Sequence, residues 1–186
     1  MTDEQGATGQ QRRQGQGQGR LSPLAAASVV GAVLGISALI GRRNAPEPSH
    51  PRIDRWYHGL RKPGFTPPDA VFGAAWPLLE TGVALGGYRL LRQPSTPARN
   101  AAVALWLGNT ATIGGWTELF FRQRRLGAAA LTSGAMVATT GAYVAAAARS
   151  DKVAAASAVP LVAWLGFATV LAEEVWRCND RSPEQG

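Results

Sequence analysis

Residues 21–41, LSPLAAASVVGAVLGISALIG, contain no charged side chain, and no other feature limits the fold more. A helix of this length crosses a hydrocarbon layer about 30 Å thick. Pro23 sits near its entry, where a missing N–H does little harm. Four further long apolar runs follow, at about 70–92, 100–121, 126–148 and 153–176. Lipid offers no water to unpaired backbone groups, so each spanning segment must bond internally, as a helix does. The pattern predicts an all-α fold: an integral membrane bundle of five transmembrane helices, with the lipid bilayer as its first partner.

Before the first run, residues 1–20 form a Gln/Gly/Arg tail with nothing apolar to bury, and disorder is expected there. The run that follows is too long for the apolar core of a signal peptide. The membrane domain is placed at 21–179 and a short tail at 180–186. A net charge of +7 would suggest nucleic acid in a soluble protein. Here the arginines fall between apolar runs, so anionic lipid headgroups are the simpler partner and nucleic acid is not expected. Of the 19 Lys and Arg, 11 fall on the side of the first loop and C-terminal tail. That bias weakly favours a cytoplasmic first loop. The single cysteine, Cys178, excludes an internal disulfide and any multi-cysteine metal site.

Chemically specific residues concentrate between Trp56 and Trp76, in WYHGLRKPGFTPPDAVFGAAW. The residue before each proline is pushed toward extended backbone, so Lys62 to Pro67 is expected to be stiff and non-helical. Asp69 is placed to cap the helix that follows. Aromatic and basic residues beside an apolar helix suit a membrane–water interface. Within the second run, Glu80 lies near mid-membrane, where a carboxyl marks either a functional position or a neutral acid bonded to a neighbouring helix. Gly82, Gly86 and Gly87 predict close helix packing, and Gly31 with Gly35 offers a second small-residue pair. In the third run Trp106, Asn109, Ile113 and Trp116 recur at helical spacing. In the fifth, Trp164, Phe167 and Leu171 share a face, and Pro160 removes one backbone hydrogen bond.

No Ser/His/Asp set, metal-ligand spacing or phosphate-binding glycine loop is present. What remains is a set of interior aromatics: Phe65, Phe72, Trp76, Trp116, Phe120 and Trp164. Flat rings make good walls for a flat apolar ligand between helices. On the residues alone, plain core packing is the stronger reading.

The spacing of Trp56, Tyr57, Leu60, Lys62, Pro63, Thr66, Pro67, Pro68, Val71, Phe72, Gly73 and Trp76 resembles the signature of the TspO/MBR family of tryptophan-rich sensory proteins. WTELFF, from Trp116 to Phe121, and the segment Val159 to Asn179 are similar to that family's third and fifth helices. The resemblance implies a five-helix membrane protein, commonly a homodimer, in a bacterial cell membrane. It implies binding of protoporphyrin IX, haem-type tetrapyrroles or similar apolar molecules, with no cofactor required. The implied pocket lies under the first loop and is bordered by Phe65, Pro67, Phe72, Trp76, Glu80, Trp116, Phe120, Trp164, Phe167 and Leu171. Roles as sensor, regulator or carrier follow from that reading. Light-dependent porphyrin breakdown is the enzymatic alternative, and a structural membrane protein without ligand is a third. The chain departs from the family pattern at Phe65, Ala70, Glu80, Ile113, Leu161 and Ala172, where Trp, Trp, Tyr, Asn, Tyr and Asn are usual. Phenyl is harder to oxidise than indole, so Phe65 argues against the photochemical alternative.

Overall fold

The computed structural model describes residues 19–180, and every regular element in that range is helical. The expectation of a disordered tail lies outside these residues except at 19 and 20, as does the 180–186 tail except at 180. The elements are α1 (Pro23–Asn44), α2 (Pro51–His58), α3 (Asp69–Leu91), α4 (Pro97–Thr117), a π-helical turn (Glu118–Arg122), α5 (Leu126–Ala148), α6 (Lys152–Ala156) and α7 (Val159–Asp180).

Starts and stops follow local chemistry. Ser22 accepts the Ala25 N–H at 3.2 Å, and Thr96 accepts the Arg99 N–H at 3.1 Å, each with proline next in the chain. Asp69, expected as a cap, is instead the first helical residue of α3. Pro68 holds the cap position and makes no side-chain bond, because the Asp69 carboxylate has turned to Tyr57 and His58 of the loop. The first loop contains α2, which starts at Pro51. Residues 61–68 are non-helical, as the prolines require.

Five long helices are present, but they are unequal as membrane spans. Among the described residues, α1, α5 and the run Lys152–Asp180 are long and apolar enough to cross a membrane. Two of the five expected spans, α3 and α4, are less apolar than the rest. α3 carries Asp69, Glu80 and Arg89, and α4 carries Arg99, Asn100, Asn109 and several threonines, which lower their apolarity. The predicted fifth span is also divided. Pro160 lacks the N–H that would continue the helix, and its ring conflicts with the carbonyl four residues back. The chain therefore turns at Ser157–Ala158 between α6 and α7.

α5 packs against α7 and α4, α1 packs against α4, and α3 lies against α1, α4 and α6. The main core includes Leu90, Trp106, Met136, Tyr143, Leu161 and Leu165. Glycine sets the closest approaches, as expected at three positions. A Cβ at Gly82 would overlap the Ser157 carbonyl, one at Gly86 the Tyr143 hydroxyl, and one at Gly87 the Trp106 indole. Gly31 and Gly35 differ. Neither meets a neighbour within 4 Å, so the second small-residue pair faces away from the bundle.

Candidate functional site

Aromatic side chains collect at the end of the bundle covered by the first loop. The π-helical turn explains part of this. Its wider turn closes with the Gln123 N–H donating to the Glu118 carbonyl at 2.9 Å. Residues four and five apart then fall on nearly one face. Trp116 consequently stacks on Phe120 at 4.8 Å and meets Phe121 edge-on at 6.1 Å. Such turns inside helices are frequent at functional sites. The Trp116 indole N–H donates to the Ala129 carbonyl at 2.9 Å, which fixes the ring's orientation.

On the other side of the same cluster, Phe72 of α3 meets Trp164 of α7 at 5.7 Å, and Trp164 meets Phe167 at 5.7 Å. Phe65 of the loop reaches Phe167 at 6.5 Å while remaining half exposed. Phe72, Trp116, Phe120, Phe167 and Leu171 belong to one apolar cluster, separate from the main core. Trp116 touches both clusters, and Trp76 packs against the main core. Seven of the ten expected residues are thus brought together around two aromatic groups, while Trp76 packs against the main core. Pro67 lies half-buried in the loop and Glu80 half-buried on α3. Neither cavity described next is lined by any of the ten.

The first is an open cleft of about 430 Å³ near the C-terminal end of α7, lined by Arg124, Arg125, Leu126, Gly127, Ala128, Trp176, Asn179 and Asp180. The second is a void of about 10 Å³ between helices, lined by Val83, Trp106, Asn109, Ile113, Thr140, Tyr143, Ala158 and Leu161. A void of that size is at the lower limit for one water molecule.

The lid over the aromatic cluster is α2 and the extended segment after it. Trp56 leans on Phe120 at 6.0 Å, and Tyr57 on Phe121 at 5.5 Å. The Lys62 ammonium lies 3.5 Å from the centre of the Tyr57 ring, a favourable cation–π geometry. Burial, then the Asp69 charge and a hydrogen bond to it, push the Tyr57 phenol up to about 12. Burial lowers Lys62, and the Asp69 charge opposes that shift. His58 faces Asp54 at 3.3 Å and Asp69 at 3.7 Å, with His58 and Asp69 exposed and Asp54 half-buried. Asn179 fastens the lid to α7. Its side-chain amide donates to the Arg61 carbonyl at 2.9 Å and accepts the Arg61 N–H at 3.1 Å. Sequence spacing could not reveal this pairing, because the partners stand 118 residues apart.

The model of the TspO/MBR family matches residues 25–177. The chain belongs to the TspO/MBR family. Similar TspO/MBR proteins include the translocator protein of Homo sapiens, 37% identical over 131 residues covering 67% of this chain and 75% of the relative. The translocator protein of Sus scrofa is 34% identical over 130 residues, with the same coverage. The tryptophan-rich sensory protein of Cereibacter sphaeroides is 30% identical over 131 residues, covering 70% of this chain and 81% of the relative. Membership carries the membrane assignment with it, and the relatives come from both mammals and bacteria. The TspO/MBR signature residues Trp56, Tyr57, Lys62 and Phe72 are the ones that build the lid and seat it on the aromatic cluster.

Proposed function

We propose that this protein is a five-helix membrane receptor or carrier that binds a flat apolar ligand of the tetrapyrrole type, with protoporphyrin IX as the reference ligand. The observation that carries this reading is the lidded aromatic cluster. Phe65 meets Phe167 and Phe72 meets Trp164 edge-on, and Trp164 is tilted against Phe167, in a cluster covered by a loop that is tied down by Asn179. A flat ligand entering there exchanges ring–ring contact for ring–ligand contact and loses little packing. Edge-on aromatic pairs contribute about 1 kcal/mol each beyond area burial, so such an exchange is nearly neutral before the ligand's own burial is counted. The two groups of rings, one around Trp164 and one around Trp116, supply flat apolar surface for such a ligand. Basic residues of the lid, Arg61 and Lys62, lie where a ligand carboxylate would reach the interface. Family membership supports the same reading.

Trp164→Ala tests it. Trp164 touches both Phe72 and Phe167, so its removal takes away the middle of one wall. Protoporphyrin affinity, read by absorbance titration of the detergent-solubilised protein, is expected to fall by about 1–3 kcal/mol, the scale of burying one large apolar side chain. A folded Trp164→Ala protein that binds as the parent does would place the ligand elsewhere.

A further inference from the structure

Trp76, Glu80, Val83 and Gly87 follow one another on α3 at i, i+4, i+7 and i+11, which is one stripe of a helix. Two contacts fix where that stripe points. Gly87 abuts the Trp106 indole, and the Val83 carbonyl accepts the Trp106 indole N–H at 2.9 Å. The stripe therefore faces α4. The outer face of α3 is a different one, carrying Leu78, Thr81 and Leu85, with Leu78 75% exposed. Glu80 is half-buried on the inner side.

α3 and α4 are joined by a short connection and run antiparallel. Stepping back from Gly87 to Glu80 matches stepping forward from Trp106 to Ile113, seven residues and about 10 Å on each helix. The α4 side chain level with Glu80 is therefore Ile113, which offers no donor. Val83 and Ile113 already share the walls of the small interior void, consistent with this register. The nearby Asn109 is tied to α5 through its side-chain oxygen, which accepts the Thr139 hydroxyl at 2.6 Å, and its amide N–H groups make no bond to Glu80. Among the described residues, no hydrogen bond or ion pair reaches the Glu80 carboxyl. A carboxyl within a membrane helix normally finds a partner in the bundle. Here no such bond is made, and one turn further along the stripe is Trp76, which packs against the same core as Trp116, the ring that also touches the aromatic cluster.

We propose that Glu80 is the polar recognition point of the aromatic pocket, selecting flat apolar ligands that present an amine or other N–H donor over ligands that present a carboxylate or no polar group there. The inference rests on the ligand-binding reading above. It adds a chemical class to it: a tetrapyrrole meeting Glu80 does so through ring N–H groups or an amino substituent, with its propionates turned away toward the lid. An acid at this position accepts a hydrogen bond when ionised and pairs with an ammonium, so one side chain serves both donor types.

Pyrene, 1-pyrenemethylamine and 1-pyrenecarboxylic acid form a matched probe set, and binding is read by quenching of tryptophan emission in the detergent-solubilised full chain. The parent protein is expected to prefer the amine to pyrene by about tenfold or more, the scale of one charge-assisted hydrogen bond, and to bind the carboxylic acid most weakly. In Glu80→Gln and Glu80→Leu the amine-to-pyrene ratio is expected to fall at least about threefold. Partitioning into the micelle cancels because each ratio is compared across variants in the same detergent. An amine preference that is absent in the parent, or unchanged in both variants, overturns the assignment while leaving an apolar pocket standing. If pyrene itself fails to bind saturably, or binds Trp164→Ala as it binds the parent, the pocket reading fails and this inference falls with it.

Discussion

Gly87→Ala is expected to destabilise the protein by about 1–3 kcal/mol, the cost of forcing one added methyl group into a packed core. The new Cβ would overlap the Trp106 indole. That ring cannot move aside cheaply. It is only 2% exposed, and its N–H is held by the Val83 carbonyl at 2.9 Å, on the same helix as Gly87. Relief therefore requires α3 and α4 to separate, which breaks the hydrogen bond or opens space around it. Gly86→Ala tests the adjacent contact, where the added carbon would displace the Tyr143 hydroxyl from its bond to the Ala154 carbonyl. Loss of thermal stability in detergent is the measurement. A cycle pairing Gly87→Ala with Trp106→Leu isolates the contact, because a smaller side chain at 106 gives the methyl room. If Gly87→Ala melts with the parent, α3 and α4 do not approach as closely as described.

Those glycines illustrate what the sequence could reveal. Small residues at helical spacing in an apolar run have few uses other than close approach, and Gly82, Gly86 and Gly87 all serve it. Gly31 and Gly35 have the same spacing and face outward, because spacing identifies a face but not which neighbour covers it. Length and apolarity located the first four long helices to within a few residues, and the fifth without its division at Ser157–Ala158. They did not locate α2, although Pro51 at a first helical position and the basic end at Arg55 and His58 are recognisable start and stop signals. The aromatic set was legible from motif spacing. Its division into one group around Trp116 and another around Trp164 was not. That division depends on the π-helical turn, which has no local sequence signal, and on the docking of the lid through Asn179. Asp69 shows the reverse case, where a sound local preference for capping gave way to tertiary partners, Tyr57 and His58. The break before Pro160 was foreseeable as a lost hydrogen bond, but not as a turn whose Ser157 carbonyl receives Gly82.

The same limit applies at the opposite end of the bundle, where Asp151, between the fourth and fifth apolar runs, proves central. Its side chain is 3% exposed. One carboxylate oxygen accepts the Ala154 N–H at 2.9 Å and so caps α6. Arg89 Nε of α3 lies 2.9 Å from the same oxygen, and the Gln93 amide donates to the other at 2.9 Å. One carboxylate thus joins the end of α3, the connection after it and the start of the divided fifth span. Burial alone would raise its pKa. The Arg89 hydrogen bond, the Ala154 N–H, the Gln93 amide and the Arg89 charge together outweigh burial and hold it below the ordinary 3.8. The sign of the linkage follows. A carboxyl depressed in the folded state contributes its full stability above the unfolded value and loses it as pH falls through the folded one. The parent protein is therefore expected to lose thermal stability progressively below about pH 4. Asp151→Asn should be less stable than the parent at pH 7 and should lose less on acidification, because its side chain carries no charge to titrate. Asp151→Ala should be worse than Asn at neutral pH. It forfeits a cap worth about 1 kcal/mol and also leaves Gln93 and the buried Ala154 N–H without their acceptor, so its total loss should exceed that of a cap alone. Melting curves of the three proteins from pH 3 to 7 decide the matter. Parallel curves for the parent and Asp151→Asn would mean that the Asp151 carboxylate is not what holds α3 to α6.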